Sequence, residues 1–180
     1  CGSYLPDWRP DQDYRKTVSA SHELGGGVLL ELSHELDYLH WFFGRPTDVQ
    51  AKMKNSETLD INVEDQADLI LTSSEGYPIT LQLDFNRRNP KRICSVLTTE
   101  GELTWDAIEK KVICRMINNE PVIYKYSNER NYIYRKQIEL FLDCIEKDID
   151  PKVSIYDGAE VMRLIDAARY SDEKGCKITL

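Results

Sequence analysis

The sequence predicts an α+β fold: a predominantly antiparallel, open sheet with helices packed on one face. Three observations predict it. An apolar helical pattern occupies residues 28–43, short alternating segments separated by tight turns run from residue 47 to residue 126, and helical patterns return at 129–147 and 156–173. Strands joined by tight turns pair antiparallel, and the flanking helices then cover one sheet face.

The pattern of residues 28–43 carries two apolar stripes, although a surface helix needs only one. The second stripe includes two titratable groups, His34 and Asp37, one turn apart, so we expect it to face a ligand, a subunit or a second domain. Gly44 follows as a C-terminal cap. At 3.6 residues per turn, the stripes consist of Val28, Leu29, Leu32, Leu36, Leu39 and Phe43, and of Leu30, His34, Asp37, Tyr38 and Trp41.

The strands are predicted from alternation and from the turns between them. Ser74-Glu75-Gly76, Glu100-Gly101 and Asn118-Asn119 are turn sequences between apolar runs. We expect one sheet, with its uncovered face meeting water or another subunit, and a short helix near residues 11–20. The predicted strands are residues 47–54, 63–73, 77–86, 91–99, 102–106, 111–117, 120–126 and 177–180.

Composition narrows the functional class. A chain of 180 residues with 41% hydrophobic content supports one domain, residues 1–180, with a substantial core. The net charge of −8 argues against nucleic-acid binding. The densest basic group consists of Arg87, Arg88, Lys91 and Arg92, and it is large enough for one anion only. No apolar run is long enough to span a membrane.

The five cysteines are odd in number and scattered, which argues against a disulfide framework and favours a cytoplasmic location. They form no zinc-ligand spacing with the histidines, so we expect no metal. We expect Cys94, Cys114 and Cys144 to be small buried hydrophobes. The chain opens at Cys1-Gly2 without an initiator methionine, and we expect it to be a piece of a longer protein.

Gly25, Gly26 and Gly27 precede the first helix but do not form a dinucleotide-binding fingerprint, and no phosphate-binding loop is present. We therefore expect no cofactor-binding residues in this chain. Two interpretations of the glycines remain open. They provide either a flexible entry to the helix or close approach of the backbone to a ligand.

His34 is the main catalytic candidate. At helical spacing it lies within reach of Glu31, Asp37 and Tyr38. A carboxylate that orients an imidazole makes it a general base, with Asp37 as the candidate partner. The alternative is a structural histidine bonded to its neighbour.

Residues 4–15 combine aromatic rings and guanidinium groups in a proline-bounded loop. This combination suits a sugar ring and a phosphate or carboxylate group. The alternative is a loop held in place by burial of Trp8. The ligand-binding candidates in this segment are Trp8, Arg9, Tyr14 and Arg15.

Four segments together resemble the C-terminal domain of the glucose–fructose oxidoreductase/inositol dehydrogenase/MocA (Gfo/Idh/MocA) family. The resemblance covers essentially the whole chain. Within the family, the chain is most similar in character to members associated with nucleotide-sugar and nonulosonic-acid metabolism. The glycine-led helix is its specific part. The segments are YLPDWRPDQDYR, SHELGGGVLLELSHELDYLHWFFG, NRRNPKR and NERNYIYRKQIELFLDCI.

The resemblance implies an N-terminal Rossmann domain that binds NAD or NADP, and a C-terminal domain that shapes the substrate pocket and carries the oligomer interface on its open sheet. The family helix commonly reads D-x-G-x-H-x-x-D, in which the histidine accepts the substrate's hydroxyl proton. His34 and Asp37 match its second half. The first half departs, because Glu31 lies three residues before His34 and the glycine is missing. The family's E-K-P lysine is not in this chain.

We therefore expect the substrate-binding and oligomerisation domain of an NAD(P)-dependent dehydrogenase acting on a sugar, nucleotide-sugar or polyol hydroxyl, inactive by itself. Its partners are the substrate, the Rossmann domain and a second copy. The alternative is a non-catalytic domain that binds a ligand or assembles subunits. The expected substrate-binding residues are Trp8, Arg9, Tyr14, Arg15, Gly26, Gly27 and Arg88.

Overall fold

The computed structural model describes residues 1–127, 129 and 131–180. The chain divides into two compact units, Cys1–Lys91 with Ile155–Leu180, and Arg92–Ser154. The strands are β1 (Asp48–Lys54), β2 (Gln66–Thr72), β3 (Pro78–Asp84), β4 (Ile93–Thr98), β5 (Gly101–Asp106), β6 (Lys111–Met116), β7 (Val122–Lys125) and β8 (Ile178–Thr179). The helices are α1 (Val28–Glu31), α2 (Ser33–Phe43), α3 (Tyr132–Lys147) and α4 (Ile155–Lys174), preceded by 3₁₀ turns at Leu5–Asp7, Tyr14–Lys16, Val18–Ala20 and His22–Leu24.

The α+β class is confirmed, and the named strands pair antiparallel. The expected single sheet is instead two four-stranded sheets, ordered β3-β2-β1-β8 and β4-β5-β6-β7. The connection between β3 and β4 explains the difference. It runs from residue 85 to residue 92 and contains Pro90. A link of this length does not close a tight hairpin, so β4 begins a new sheet.

The first sheet forms the core of the first unit. Its inward positions alternate along the strands, and Val49, Leu69 and Leu71 are essentially inaccessible to solvent. The predicted hairpin between β2 and β3 is confirmed. Its turn is closed by the backbone N–H of Ser73, which donates to the Tyr77 carbonyl, and Gly76 has a positive φ of 87°.

The predicted helix over residues 28–43 is wrong in one respect, because it is interrupted at Leu32. This residue has φ −103° and ψ 23°, and the next helix begins at Ser33. The Glu35 N–H donates to the Leu32 carbonyl, a three-residue rather than a four-residue step. Both Leu32 and Leu36 remain buried. Because no proline or glycine marks the break, local sequence did not indicate it.

Helix α4 packs on β1 and completes the core of the first unit. Val161, Leu164 and Ile165 are buried on its inner face. Further along the helix, the Ser171 hydroxyl accepts from the Ala51 N–H at 3.0 Å and donates to the Cys176 carbonyl at 2.6 Å. This hydroxyl therefore ties the end of α4 to the central strand.

In the second unit, no described residue is fully buried. Residue 130 of the helix predicted at 129–147 lies outside the described residues. The expectation that Cys94, Cys114 and Cys144 are buried is wrong, since all three side chains are partly accessible to solvent. Cross-strand register brings nine apolar residues onto one side of the second sheet, here called the apolar sheet face: Cys94, Val96, Leu103, Trp105, Val112, Cys114, Met116, Val122 and Tyr124.

Among the described residues, no helix is both long enough and apolar enough to cross a membrane.

Candidate functional site

Helix α2 carries the candidate site on the side that the core leaves open. Leu36 and Leu39 fix the helix against the first sheet. His34 lies in the first turn, and its side chain is 47% exposed. An imidazole on a helix anchored in this way is held by the core and is accessible from outside.

The buried neighbour of His34 is Glu35, which is only 1% exposed. Its Oε1 lies 3.2 Å from Nε2 of His34, and its Oε2 accepts a hydrogen bond from the Tyr38 hydroxyl at 3.0 Å. Three side chains of α2 thus form one polar cluster, which we call the His34 cluster: His34, Glu35 and Tyr38. A buried carboxylate is stable only when such partners compensate for lost hydration.

The carboxylate that contacts His34 was not singled out from the sequence. Asp37, the predicted partner, is half-buried on α2, and Glu31 belongs to α1. A signal for Glu35 is nevertheless present. Its position falls three residues after Leu32 and four before Leu39, so it interrupts an apolar stripe with a charged group. A carboxylate at a core position requires a specific partner.

The glycine segment approaches other parts of this chain closely. A Cβ on Gly26 would lie 2.8 Å from the Ser19 carbonyl oxygen, and Gly27 has φ 111° beside the Glu64 carboxylate. Glu64 also accepts from the first amides of α1: its carbonyl from Val28 at 3.0 Å and its Oε1 from Leu29 at 3.3 Å. A ligand role for Gly26 and Gly27 stays a prediction.

Two of the predicted aromatic residues anchor the N-terminal segment to the first unit. Trp8 donates from Nε1 to the Ser3 hydroxyl at 2.8 Å and packs edge-on against Phe85, with ring centroids 5.3 Å apart. The Tyr14 hydroxyl donates to the Leu59 carbonyl at 2.8 Å. These contacts hold the segment rigidly, and a ligand role for the two rings stays a prediction.

The predicted arginines differ in their surroundings. Arg15 forms ion pairs with Asp13 at 2.9 Å and Asp60 at 3.5 Å, and the hydrogen bonds that Arg15 donates to Asp13 raise the pKa of Arg15 above the usual range. Arg88 lies over the Tyr4 ring, 3.5 Å from its centroid. Arg9 is exposed.

No group of three or more histidine, cysteine, aspartate or glutamate residues that suits a metal ion occurs in the described part of the chain.

The chain as a whole matches a known domain family. Residues 7–180 fit the model of the oxidoreductase family's C-terminal alpha/beta domain. The chain belongs to the Gfo/Idh/MocA oxidoreductase family. No curated protein is significantly similar to it in sequence.

Solved structures of the same fold include several dehydrogenases. An aldose-aldose oxidoreductase from Caulobacter crescentus, complexed with glycerol, has a TM-score of 0.83 at 18% identity, covering 99% of this chain and 53% of that chain. A levoglucosan dehydrogenase in complex with NADH and levoglucosan has a TM-score of 0.86 at 14% identity, with coverage of 99% and 56%.

A third structure, an oxidoreductase from Agrobacterium radiobacter in complex with NAD⁺, L-tartaric acid and magnesium, has a TM-score of 0.77 at 16% identity and covers 99% of this chain and 55% of that chain. At these identities the likeness shows the fold alone. The Gfo/Idh/MocA chain described here spans about half the length of these proteins.

The described residues of this chain do not fit a dinucleotide. Its named strands pair antiparallel, so no parallel βαβ unit directs a helix N-terminus at a pyrophosphate.

Proposed function

We propose that this chain is the substrate-binding and oligomerisation domain of a nicotinamide-dependent oxidoreductase that acts on a sugar, nucleotide-sugar or polyol hydroxyl. The observation that carries the proposal is an accessible histidine beside a buried carboxylate on α2, the second of the two helices that follow the triple glycine, in a Gfo/Idh/MocA chain. The sugar-acting dehydrogenases among its structural neighbours support the substrate class.

In this proposal, His34 accepts the proton of the substrate hydroxyl, and a nicotinamide bound by a Rossmann domain, NAD or NADP, supplies the hydride acceptor. His34 suits that role because its side chain is half-exposed while its helix is fixed by buried leucines. We propose Asp37, which is half-buried on α2, as a second catalytic residue beside His34 in sequence.

Among the proposed substrate-binding residues, Arg9 and Arg88 are the candidates for an anionic group on the substrate. Arg9 is exposed, and Arg88 is oriented by stacking on Tyr4. Arg15 is already neutralised by two aspartates, which makes it a weaker candidate for an anion.

We further propose that both units act as a single domain and that a second copy covers the apolar sheet face of the second unit. Its nine apolar side chains include Leu103 and Tyr124, which remain well exposed in the single chain. A contiguous exposed apolar surface is typical of a protein interface. None of the five cysteines is in a disulfide, which supports a reducing, cytoplasmic compartment.

The test is a substrate panel on the full-length protein. Sugars, polyols and nucleotide sugars are offered with NAD⁺ and with NADP⁺, and formation of the reduced cofactor is followed by absorbance. The proposal predicts oxidation of at least one member of the panel. Ligand binding without any cofactor reduction would instead support the non-catalytic alternative.

A further inference from the structure

We propose that two copies of this chain exchange helix α3, so that the apolar side of α3 from one copy packs on the apolar sheet face of the other. The inference rests on the proposed function, in which a second copy covers that face. It deepens that proposal by naming the segment of the second copy that supplies the cover and by making the contact reciprocal.

Helix α3 is amphipathic, and its apolar side is uncovered. At 3.6 residues per turn, one side of the helix collects large apolar residues, which we call the α3 stripe. Each of them is at least half-exposed, and no described residue of α3 is buried. The α3 stripe therefore needs a cover that the described part of a single copy does not supply. Its members are Tyr134, Ile138, Phe141, Leu142 and Ile145.

The opposite side of α3 suits water. It carries charged side chains that pair with one another along the helix, Lys136 with Glu139 at 3.2 Å and Lys147 with Asp143 at 2.9 Å. Exposed pairs of this spacing are typical of a solvated helix face. The α3 stripe is therefore the side of the helix that suits an apolar partner.

The sheet of the same unit also has an apolar side without a cover. On the apolar sheet face, Leu103, Val122 and Tyr124 are 41%, 48% and 62% exposed. The other face carries polar groups, among them the Ser95 and Thr104 hydroxyls, which lie 3.5 Å apart across β4 and β5. An antiparallel sheet of this kind packs its apolar face and leaves the other in water. Each copy thus offers one apolar helix side and one apolar sheet face.

The two surfaces match in size. With 16 residues, α3 is about 24 Å long. Strands of six residues span about 20 Å, and four strands spaced at about 4.8 Å make a sheet roughly 15 Å wide. A helix with its side chains is about 10 Å across, so one helix covers most of the sheet. A helix packed on a sheet is also one of the standard layer arrangements of protein domains.

The area that the exchange buries is large enough for a stable dimer. A large apolar side chain presents about 200 Å² when fully exposed, so the α3 stripe offers about 600 Å². Together with the covered part of the sheet, each copy loses roughly 1,000 Å² to its partner, above the about 800 Å² per partner of a standard interface. Because each copy supplies one helix and one sheet, a two-fold axis covers both pairs and closes the assembly as a dimer.

A pair of lysine substitutions in α3 of the full-length protein tests the exchange. Ile138 lies in the α3 stripe and is 60% exposed, whereas Leu140 lies on the opposite side and is 53% exposed. Both sites are accessible in the single chain, so a lysine at either one leaves the fold of one copy intact. We expect Ile138→Lys to convert the dimer to a monomer in sedimentation velocity, because the exchange would bury the ammonium group. Leu140→Lys should sediment as the wild type does, and an equal response of the two variants would overturn the exchange.

Mixing two variants separates exchange between copies from packing within one copy. Ile138→Lys keeps an intact apolar sheet face, and Val96→Lys keeps an intact α3. Each variant alone should be monomeric. When the two are co-expressed with different affinity tags, they should co-purify as a mixed dimer, because one helix and one sheet face remain intact and belong to different copies. Variants that stay monomeric together would overturn the exchange.

Other covers for the α3 stripe give different results. If α3 packs within its own chain, Ile138→Lys lowers the melting temperature and leaves the size of the assembly unchanged, which rejects the exchange. A dimer that Val96→Lys abolishes but Ile138→Lys does not keeps a second copy on the apolar sheet face and rejects only α3 as its cover. A monomeric wild type rejects the proposed oligomerisation together with the exchange, whereas the substrate panel tests the proposed activity independently of either.

Discussion

Gly26 packs directly against the backbone carbonyls of Val18 and Ser19. A Cβ at this position would lie 2.8 Å from the Ser19 oxygen, and neither carbonyl belongs to a flexible side chain. We therefore predict that Gly26→Ala lowers the free energy of unfolding by about 1–3 kcal/mol, measured by urea denaturation.

Gly158 in α4 provides the matched control, since a Cβ there meets no atom within contact distance. Gly158→Ala is expected to raise the free energy of unfolding by roughly 0.5–1 kcal/mol because alanine is the better helix former. Equal stability of Gly26→Ala and the wild type would contradict this prediction, because it would show that the backbone at Gly26 can move away from the Val18 and Ser19 carbonyls.

At the scale of single residues, the candidate functional side chains were predictable from the sequence, but their contacts were not. His34 was identified because a histidine stood out in an apolar stripe. Its contact with Glu35 was not, since adjacent positions on a helix point in different directions and only side-chain rotamers bring the two groups together. Trp8 and Tyr14 were found as aromatic residues, but their bonds to Ser3 and Leu59 depend on tertiary packing.

At the scale of elements, the Asp48 side chain in β1 binds β2 and the residue that precedes β8. Its carboxylate accepts from the Thr72 hydroxyl at 2.8 Å and from Lys177 at 3.3 Å. These hydrogen bonds, Thr72 first, lower the pKa of Asp48 below its usual 3.8. A group whose pKa is lower in the folded state stabilises the fold above its unfolded pKa, and that contribution is lost as the pH falls through the folded pKa.

We predict that Asp48→Asn lowers the free energy of unfolding at neutral pH by about 1 kcal/mol. The difference from the wild type should shrink as the pH falls below 3.8, the usual value for aspartate. Denaturation series at several pH values measure this. Thr72→Val, which removes the main donor, should reduce the pH dependence, and a difference that is constant with pH would refute the assignment.

Elements were largely predictable because their signals are local. Alternation and turn residues located the strands, and the bounds of α4 agree with its 3.6-residue period. The break at Leu32 and the division into two sheets were not predictable from local pattern. The first depends on how Leu32 and Leu36 fit the core, and the second on a long connection whose path only tertiary packing decides.

At the scale of the whole molecule, we predict self-association through the apolar sheet face. Val96 lies on that face, and Ser95, its neighbour in the same strand, lies on the opposite one. Val96→Lys should shift the full-length protein to smaller species in sedimentation velocity, because burying a lysine in the interface is costly. Ser95→Lys is the matched control. An equal response of both variants, or a monomeric wild type, would contradict the prediction.

His34→Ala is the most direct test of whether His34 is the proton acceptor of the proposed full-length enzyme. Turnover and melting temperature are measured on the same preparation of the full-length protein. We expect kcat per folded molecule to fall by about 10²–10⁴-fold while the variant still folds, since the His34 side chain is 47% exposed. A lower melting temperature with unchanged turnover per folded molecule would contradict it and make His34 a structural residue.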